Sequence, residues 1–216
     1  MFVNRREFVV SATALIAAAA LIGSAPFAAA DTTPEELMRA GPLPDIVLGK
    51  ADAPVTIVEY ASMTCPHCAH FSTTTFPALK TKYIDTGKVR FVFREFPLDE
   101  LAAAAAMMAR CIDKGNGEKA MAVIEVLFNS QDKWAVRNPI PPLQQIGKQA
   151  GLSQQAFDEC LKDQTLYNNV LAMRERGSKE YKVESTPTLF VNGKMIKGGA
   201  STEELEKVID PLLPKS

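Results

Sequence analysis

The alternation of apolar and polar positions divides the chain into β and α stretches in a definite order. "APVTIVEYAS" (53–62) is a short, β-branched apolar run, long enough for a buried strand and too short for a confident helix. A helical pattern follows the next few residues through Phe71, Phe76, Leu79 and Tyr83, with Pro77 as its expected kink. "GKVRFVFREFP" (87–97) predicts a second strand, opened by a turn at Gly87 and stopped by Pro97. From Leu98 to about Lys182 the period is helical. An Ala- and Met-rich helix runs to Gly115, then "EKAMAVIEVLFNSQDKW" (118–134) and three further helices follow, two opened by the capping residues Ser153 and Thr165. The β pattern returns in "TPTLFVNGKMIKGG" (186–199), a strand, an Asn192-Gly193 turn and a second strand. A last helix starts at Ser201, three residues before Glu204 in capping-box spacing. Strands on either side of a helical block predict one α/β sheet with a helical insertion at about 98–182.

The ends of the chain differ from this pattern. Residues 31–50 are Pro-rich and predict an irregular lead-in with one helical turn. Residues 1–30 have a positive start at Arg5 and Arg6, an apolar run of about 14 residues, and small residues up to Ala30, which together predict a secretory signal peptide. The run falls short of the roughly 20 residues that a membrane span needs. "NRREFVV" resembles the twin-arginine export signal at Arg5, Arg6 and Phe8, and departs from it at Asn4, Val9 and Val10. Removing the signal takes away two arginines and one glutamate, so the formal charge moves from −1 to −2. So near neutral a chain gives no argument for nucleic acid or an anionic membrane surface as partner. All four cysteines remain, and an extracytoplasmic location allows disulfides.

The chemistry concentrates in "TCPHCAH" (64–70), which holds two cysteines and both histidines. Zinc is the first alternative, since Cys65 and Cys68 have a knuckle spacing and His70 could be a third ligand. The second pair would have to come from Cys111 and Cys160, which lie 49 residues apart on predicted helices. Covalent haem requires a histidine where Ala69 stands. A redox pair fits better. Cys65 falls between a strand and a helix, where free N–H groups and the helix dipole stabilise a thiolate. Cys68 lies one turn in, close enough to close a disulfide and more shielded. Pro66 suits a first helical turn, and His67 can place positive charge beside the thiolate. A stabilised thiolate favours the reduced form and makes the disulfide a stronger oxidant. Glu59, a carboxylate in an apolar run, is either an edge-facing solvated side chain or a buried acid with a raised pKa. Cys111 and Cys160 are either a staple between helices or two buried thiols. Trp134, Met107 and Met108 read as packing residues, and His70 as a solvated bystander.

"VLGKADAPVTIVEYASMTCPHC" and "VESTPTLFVNGK" resemble the two signature segments of the DsbA-like thiol-disulfide oxidoreductases, across about residues 43–213. The resemblance, of alphaproteobacterial type, implies a thioredoxin fold with an inserted helical domain. It implies that Cys65 is the exposed nucleophile and Cys68 its buried partner, tuned by Pro66 and His67. Thr186 and Pro187 match the family's cis-proline loop, which pairs with substrate peptide. Glu59 matches an acid that helps proton movement to the buried cysteine, and a second disulfide matches Cys111 and Cys160. The implied activity is the introduction of disulfide bonds into reduced, unfolded exported proteins in the periplasm. The implied partner is a quinone-linked membrane reoxidase of the DsbB kind, and no cofactor is expected.

An isomerase or reductase of the same superfamily is the alternative within this class. Residues 31–50 are too short for the dimerisation domain of such isomerases, so a monomeric oxidase is expected, although Thr186 also occurs in isomerase-like relatives. A copper- or zinc-binding protein would copurify with metal. A peptide-holding chaperone would keep its activity without Cys65 and Cys68.

Overall fold

Three neighbouring strands, buried on both faces, make the middle of the sheet and explain why their sequences read as nearly unbroken apolar runs. The structure is a computed structural model that describes residues 32–113, 115 and 117–214; the expected export signal lies outside the described residues. The sheet has five strands, β1 (Ile46–Leu48), β2 (Val55–Ala61), β3 (Val89–Glu95), β4 (Thr188–Val191) and β5 (Lys194–Lys197), in the order β1-β3-β2-β4-β5. β2 and β3 are parallel and the other neighbours antiparallel. Side chains alternate along each strand: Ile57, Ala61, Phe91, Phe93, Leu189 and Val191 join one apolar core, while Val58, Tyr60, Val92 and Phe190 join another.

Strand β1 is a correction to the irregular lead-in. The expected helical turn is present as α1 (Pro34–Leu37), but Ile46–Leu48 then pairs with β3. A three-residue strand is too short to show a period. Its place is fixed by tertiary contacts: Asp45 accepts two hydrogen bonds from the fully buried Arg94, at 2.8 and 3.0 Å, and Arg94 also donates to the Tyr60 hydroxyl at 3.0 Å.

The helix after β2 breaks earlier than Pro77. α2 (Pro66–Thr74) ends at Thr75, and α3 (Phe76–Leu79) carries Pro77 within its first turn, where its missing N–H costs nothing. A π-helical turn at Lys80–Ile84 completes the segment. The insertion between β3 and β4 contains α4 (Glu100–Asp113), α5 (Gly117–Asn129), α6 (Gln131–Trp134), α7 (Ile140–Gln149), α8 (Gln154–Lys162) and α9 (Gln164–Tyr181). Two expectations are corrected here. The helix read through residues 118–134 breaks at Ser130, between α5 and α6. The cap of α9 is Asp163 rather than Thr165, its carboxylate accepting from the Leu166 N–H at 2.9 Å.

Two glycines are required by their surroundings. A Cβ on Gly177 of α9 would stand 2.8 Å from the Tyr60 ring, so the helix can approach the sheet only with glycine there. Asn192 and Gly193 both have positive φ in the β4–β5 turn, and the Asn192 side chain accepts from the Thr56 N–H at 2.7 Å. α10 (Thr202–Ile209) opens with the capping box of Ser201 and Glu204 and packs Leu205 and Ile209 into the main core. Trp134, Met107 and Met108 are core residues, and the Trp134 indole N–H donates to the Leu127 carbonyl at 2.7 Å.

Candidate active site

Strand β2 delivers the chain to a tight turn at residues 62–65, and Cys65 then stands as the N-cap of α2 with Pro66 at its first position. The turn is held from several sides. The Cys65 N–H donates to the Ser62 carbonyl at 3.1 Å, and the Leu98 N–H donates to the Ser62 hydroxyl at 3.3 Å. The Thr64 hydroxyl donates to Asp99 at 2.7 Å, while Asp99 also accepts from the Ala102 N–H at the start of α4. The Gln131 side-chain amide donates to the Met63 and Cys65 carbonyls at 2.8 and 3.1 Å.

The two sulfurs of the site sit in opposite environments. Cys65 has a pKa lowered to about 5. The leading cause is a hydrogen bond from the Cys68 thiol, opposed by burial, with further help from Thr186 and from the backbone N–H groups of Cys68 and His67. These N–H groups belong to the first turn of α2, the orphan donors of a helix start. Cys68 is fully buried and its pKa is raised, first by burial. Cys65 is only 5% exposed, which corrects the expectation of an exposed nucleophile. The loop before β4 covers it: Cys65 Sγ lies 3.3 Å from the Thr186 carbonyl oxygen, to which the neutral thiol donates. Thr186 and Pro187 are joined by a cis peptide bond. The buried Thr186 hydroxyl has no hydrogen-bond partner, and the Thr186 side chain is among the groups that lower the Cys65 pKa.

Glu59 lies on the central strand, with Phe93 and Leu189 as its lateral neighbours, so it is not at an edge. It is 3% exposed, and one carboxyl oxygen has no hydrogen-bond partner. Burial raises its pKa to about 8, and charge on Cys65 adds to the shift; Glu59 in turn raises Cys68. The His67 ring is exposed, so it is the backbone of His67, more than its imidazole, that serves Cys65. His70 is also exposed.

Cys111 of α4 and Cys160 of α8 form a disulfide, with Cα atoms 6.2 Å apart. A four-ligand metal site built on both cysteine pairs would therefore need this bond to open. Four residues of the site were not found from the sequence: Ser62, Thr64, Asp99 and Gln131. Asp99 stands three residues before Ala102, a capping signal within reach of sequence reading. Gln131 carried no signal, since it reaches Cys65 across 66 residues and through a break in a helix read as continuous.

The comparisons with known proteins agree with this geometry. The thioredoxin family profile matches residues 43–211. A Rickettsia bellii protein, provisionally assigned as a protein-disulfide oxidoreductase, is 36% identical over 173 residues, 80% of this chain and 66% of its own length. The chain spans 60–66% of the length of this and four other Rickettsia relatives. Disulfide bond formation protein D of Bacillus subtilis is 30% identical over 168 residues, covering 76% of this chain and 75% of that one. Among solved structures, Wolbachia pipientis alpha-DsbA1 superposes with a TM-score of 0.75 at 33% identity, over 84% of this chain and 96% of the other. With sheet, site and relatives in accord, this chain belongs to the thioredoxin superfamily, as a DsbA-like protein.

Proposed function

We propose that this chain is an exported thiol-disulfide oxidoreductase that introduces disulfide bonds into reduced, unfolded exported proteins. Residues 1–30 act as the export signal, residues 31–50 are a lead-in, and residues 51–216 form a monomeric thioredoxin domain with its helical insertion. The observation that carries the reading is the contrast between Cys65, with its pKa lowered to about 5, and the buried Cys68, three residues away with its pKa raised. An exchange enzyme needs a sulfur that leaves easily and a partner that waits.

The cycle begins with a Cys65–Cys68 disulfide. A substrate thiolate attacks Cys65 Sγ, forming a mixed disulfide and breaking the bond to Cys68. Cys68 departs as a thiolate, poorly stabilised in its buried position, and takes up a proton. Glu59, with its pKa raised to about 8, holds such a proton near neutral pH. A second substrate thiolate then attacks the substrate sulfur of the mixed disulfide, and Cys65 leaves as a stabilised thiolate. Two electrons pass to the enzyme, and the substrate gains one disulfide. A quinone-linked membrane protein of the DsbB kind restores the Cys65–Cys68 bond by accepting those electrons. The Thr186–Pro187 loop, packed on the sulfur, offers backbone groups to the substrate chain.

The test combines equilibration with glutathione and oxidation of a reduced two-cysteine peptide. A strongly oxidising potential with stoichiometric peptide oxidation is expected. A potential near thioredoxin's, about −270 mV, would rule out a net oxidase. Efficient reshuffling of a mispaired peptide without net oxidation would favour the isomerase instead.

A further inference from the structure

We propose that Gln131, a residue of the helical insertion, is a positioning residue for Cys65 that sets how readily its thiolate forms; this rests on the exchange reading above. Among the described residues, its side chain makes the one hydrogen bond from the insertion to the Cys65 backbone. The amide nitrogen uses both hydrogens, one on the Met63 carbonyl at 2.8 Å and one on the Cys65 carbonyl at 3.1 Å. The site is partly buried, where a hydrogen bond is stronger than in water and a lost donor is felt.

The local fold turns the chain so that this contact is made. α5 ends at Asn129, Ser130 leaves the helix at φ −122° and ψ 22°, and α6 begins at Gln131. Trp134, fully buried three residues on, anchors that short turn through its bond to the Leu127 carbonyl. A continuous helix would have carried residue 131 along the α5 axis instead of turning it toward residues 63–65.

The electrostatic consequence has a definite sign. The carbonyl oxygens of Met63 and Cys65 are negative dipole ends in the turn that carries the sulfur, and the Cys65 carbonyl also accepts from the Ala69 N–H at 3.1 Å. Two N–H donors offset them and hold the turn so that Cys65 faces the first-turn N–H groups of α2. Gln131→Met keeps the length and removes the donors. Gln131→Glu keeps the shape and sets a carboxylate against two carbonyls.

The experiment titrates the Cys65 thiolate of the reduced full-length protein by ultraviolet absorbance, and measures the glutathione equilibrium constant and the melting temperature on the same samples. The midpoint should rise in Gln131→Met and rise further in Gln131→Glu. The equilibrium constant for reduction by glutathione should fall about tenfold for each pKa unit gained, at pH values above both midpoints. A Gln131→Met protein that melts lower yet keeps the wild-type midpoint and constant would overturn the proposal, as would no change in any of the three. Should Gln131→Met fail to fold, Gln131→Glu carries the same test. A wild-type midpoint in the ordinary thiol range would instead sink the exchange reading, so the two failures are told apart.

Discussion

The chain holds two cysteine pairs, and they differ in everything except their atoms. Cys65 and Cys68 are three residues apart at the start of a helix, with the Cys68 thiol, Thr186 and backbone N–H groups all favouring the Cys65 thiolate and an apolar core around Cys68. Cys111 and Cys160 join two helices of the insertion across 49 residues, and the buried Cys160 rests against the Met107 carbonyl, an acceptor rather than a donor. The comparison teaches that reactivity belongs to the place. A helix N-terminus with unused N–H groups stabilises a thiolate, and a seam between helix sides does not.

The largest expected effect separates the pairs. Cys65→Ser abolishes oxidation of a reduced peptide, since no mixed disulfide can form on the attacked sulfur. The double variant Cys111→Ala, Cys160→Ala retains peptide oxidation while losing about 4 kcal/mol of unfolding free energy, the chain-entropy value for a loop of this length. Denaturant titration and the peptide assay on both variants check this. Equal loss of activity in the two would erase the distinction between the pairs.

A smaller effect is expected at Glu59. Its folded pKa of about 8 lies above the ordinary 4.5, so its contribution to stability is complete below about 4.5 and is lost as pH rises toward 8. Glu59→Gln should therefore gain stability over wild type across that window, and nothing below it. The same variant should exchange thiols more slowly, because Cys68 loses its neighbouring proton carrier. Urea unfolding at several pH values and stopped-flow exchange check the two halves. A Gln variant that is less stable at pH 8 and exchanges at the wild-type rate would remove Glu59 from the mechanism.

The same contrast explains what the sequence could reveal. The central strands were legible because both faces are buried and the apolar runs are nearly unbroken. Cys65 was legible as a helix start because a strand ran directly into Pro66. Short or long-range features were not. Strand β1 has three residues and owes its place to Asp45 and Arg94. The break at Ser130 lies inside a stretch with good helical spacing, and only packing around Trp134 shows why it ends there. The covering of Cys65 depends on Thr186, 121 residues further on. Residues that act through local chemistry announced themselves, and those that act through contact did not.

The depressed pKa of Cys65 also couples to stability, with the opposite sign to Glu59. Its contribution to the reduced protein is complete above about pH 9, declines as pH falls, and is gone below about 5. The oxidised protein lacks this ionisation, so the reduced form should gain stability relative to it as pH rises from 5 to 9.

The most direct test is the ultraviolet titration of the reduced wild-type protein, with Cys65→Ser as the blank. One thiolate is expected to appear with a midpoint near pH 5 and to be absent from the blank. A midpoint near 9, the ordinary value for a thiol, would contradict it.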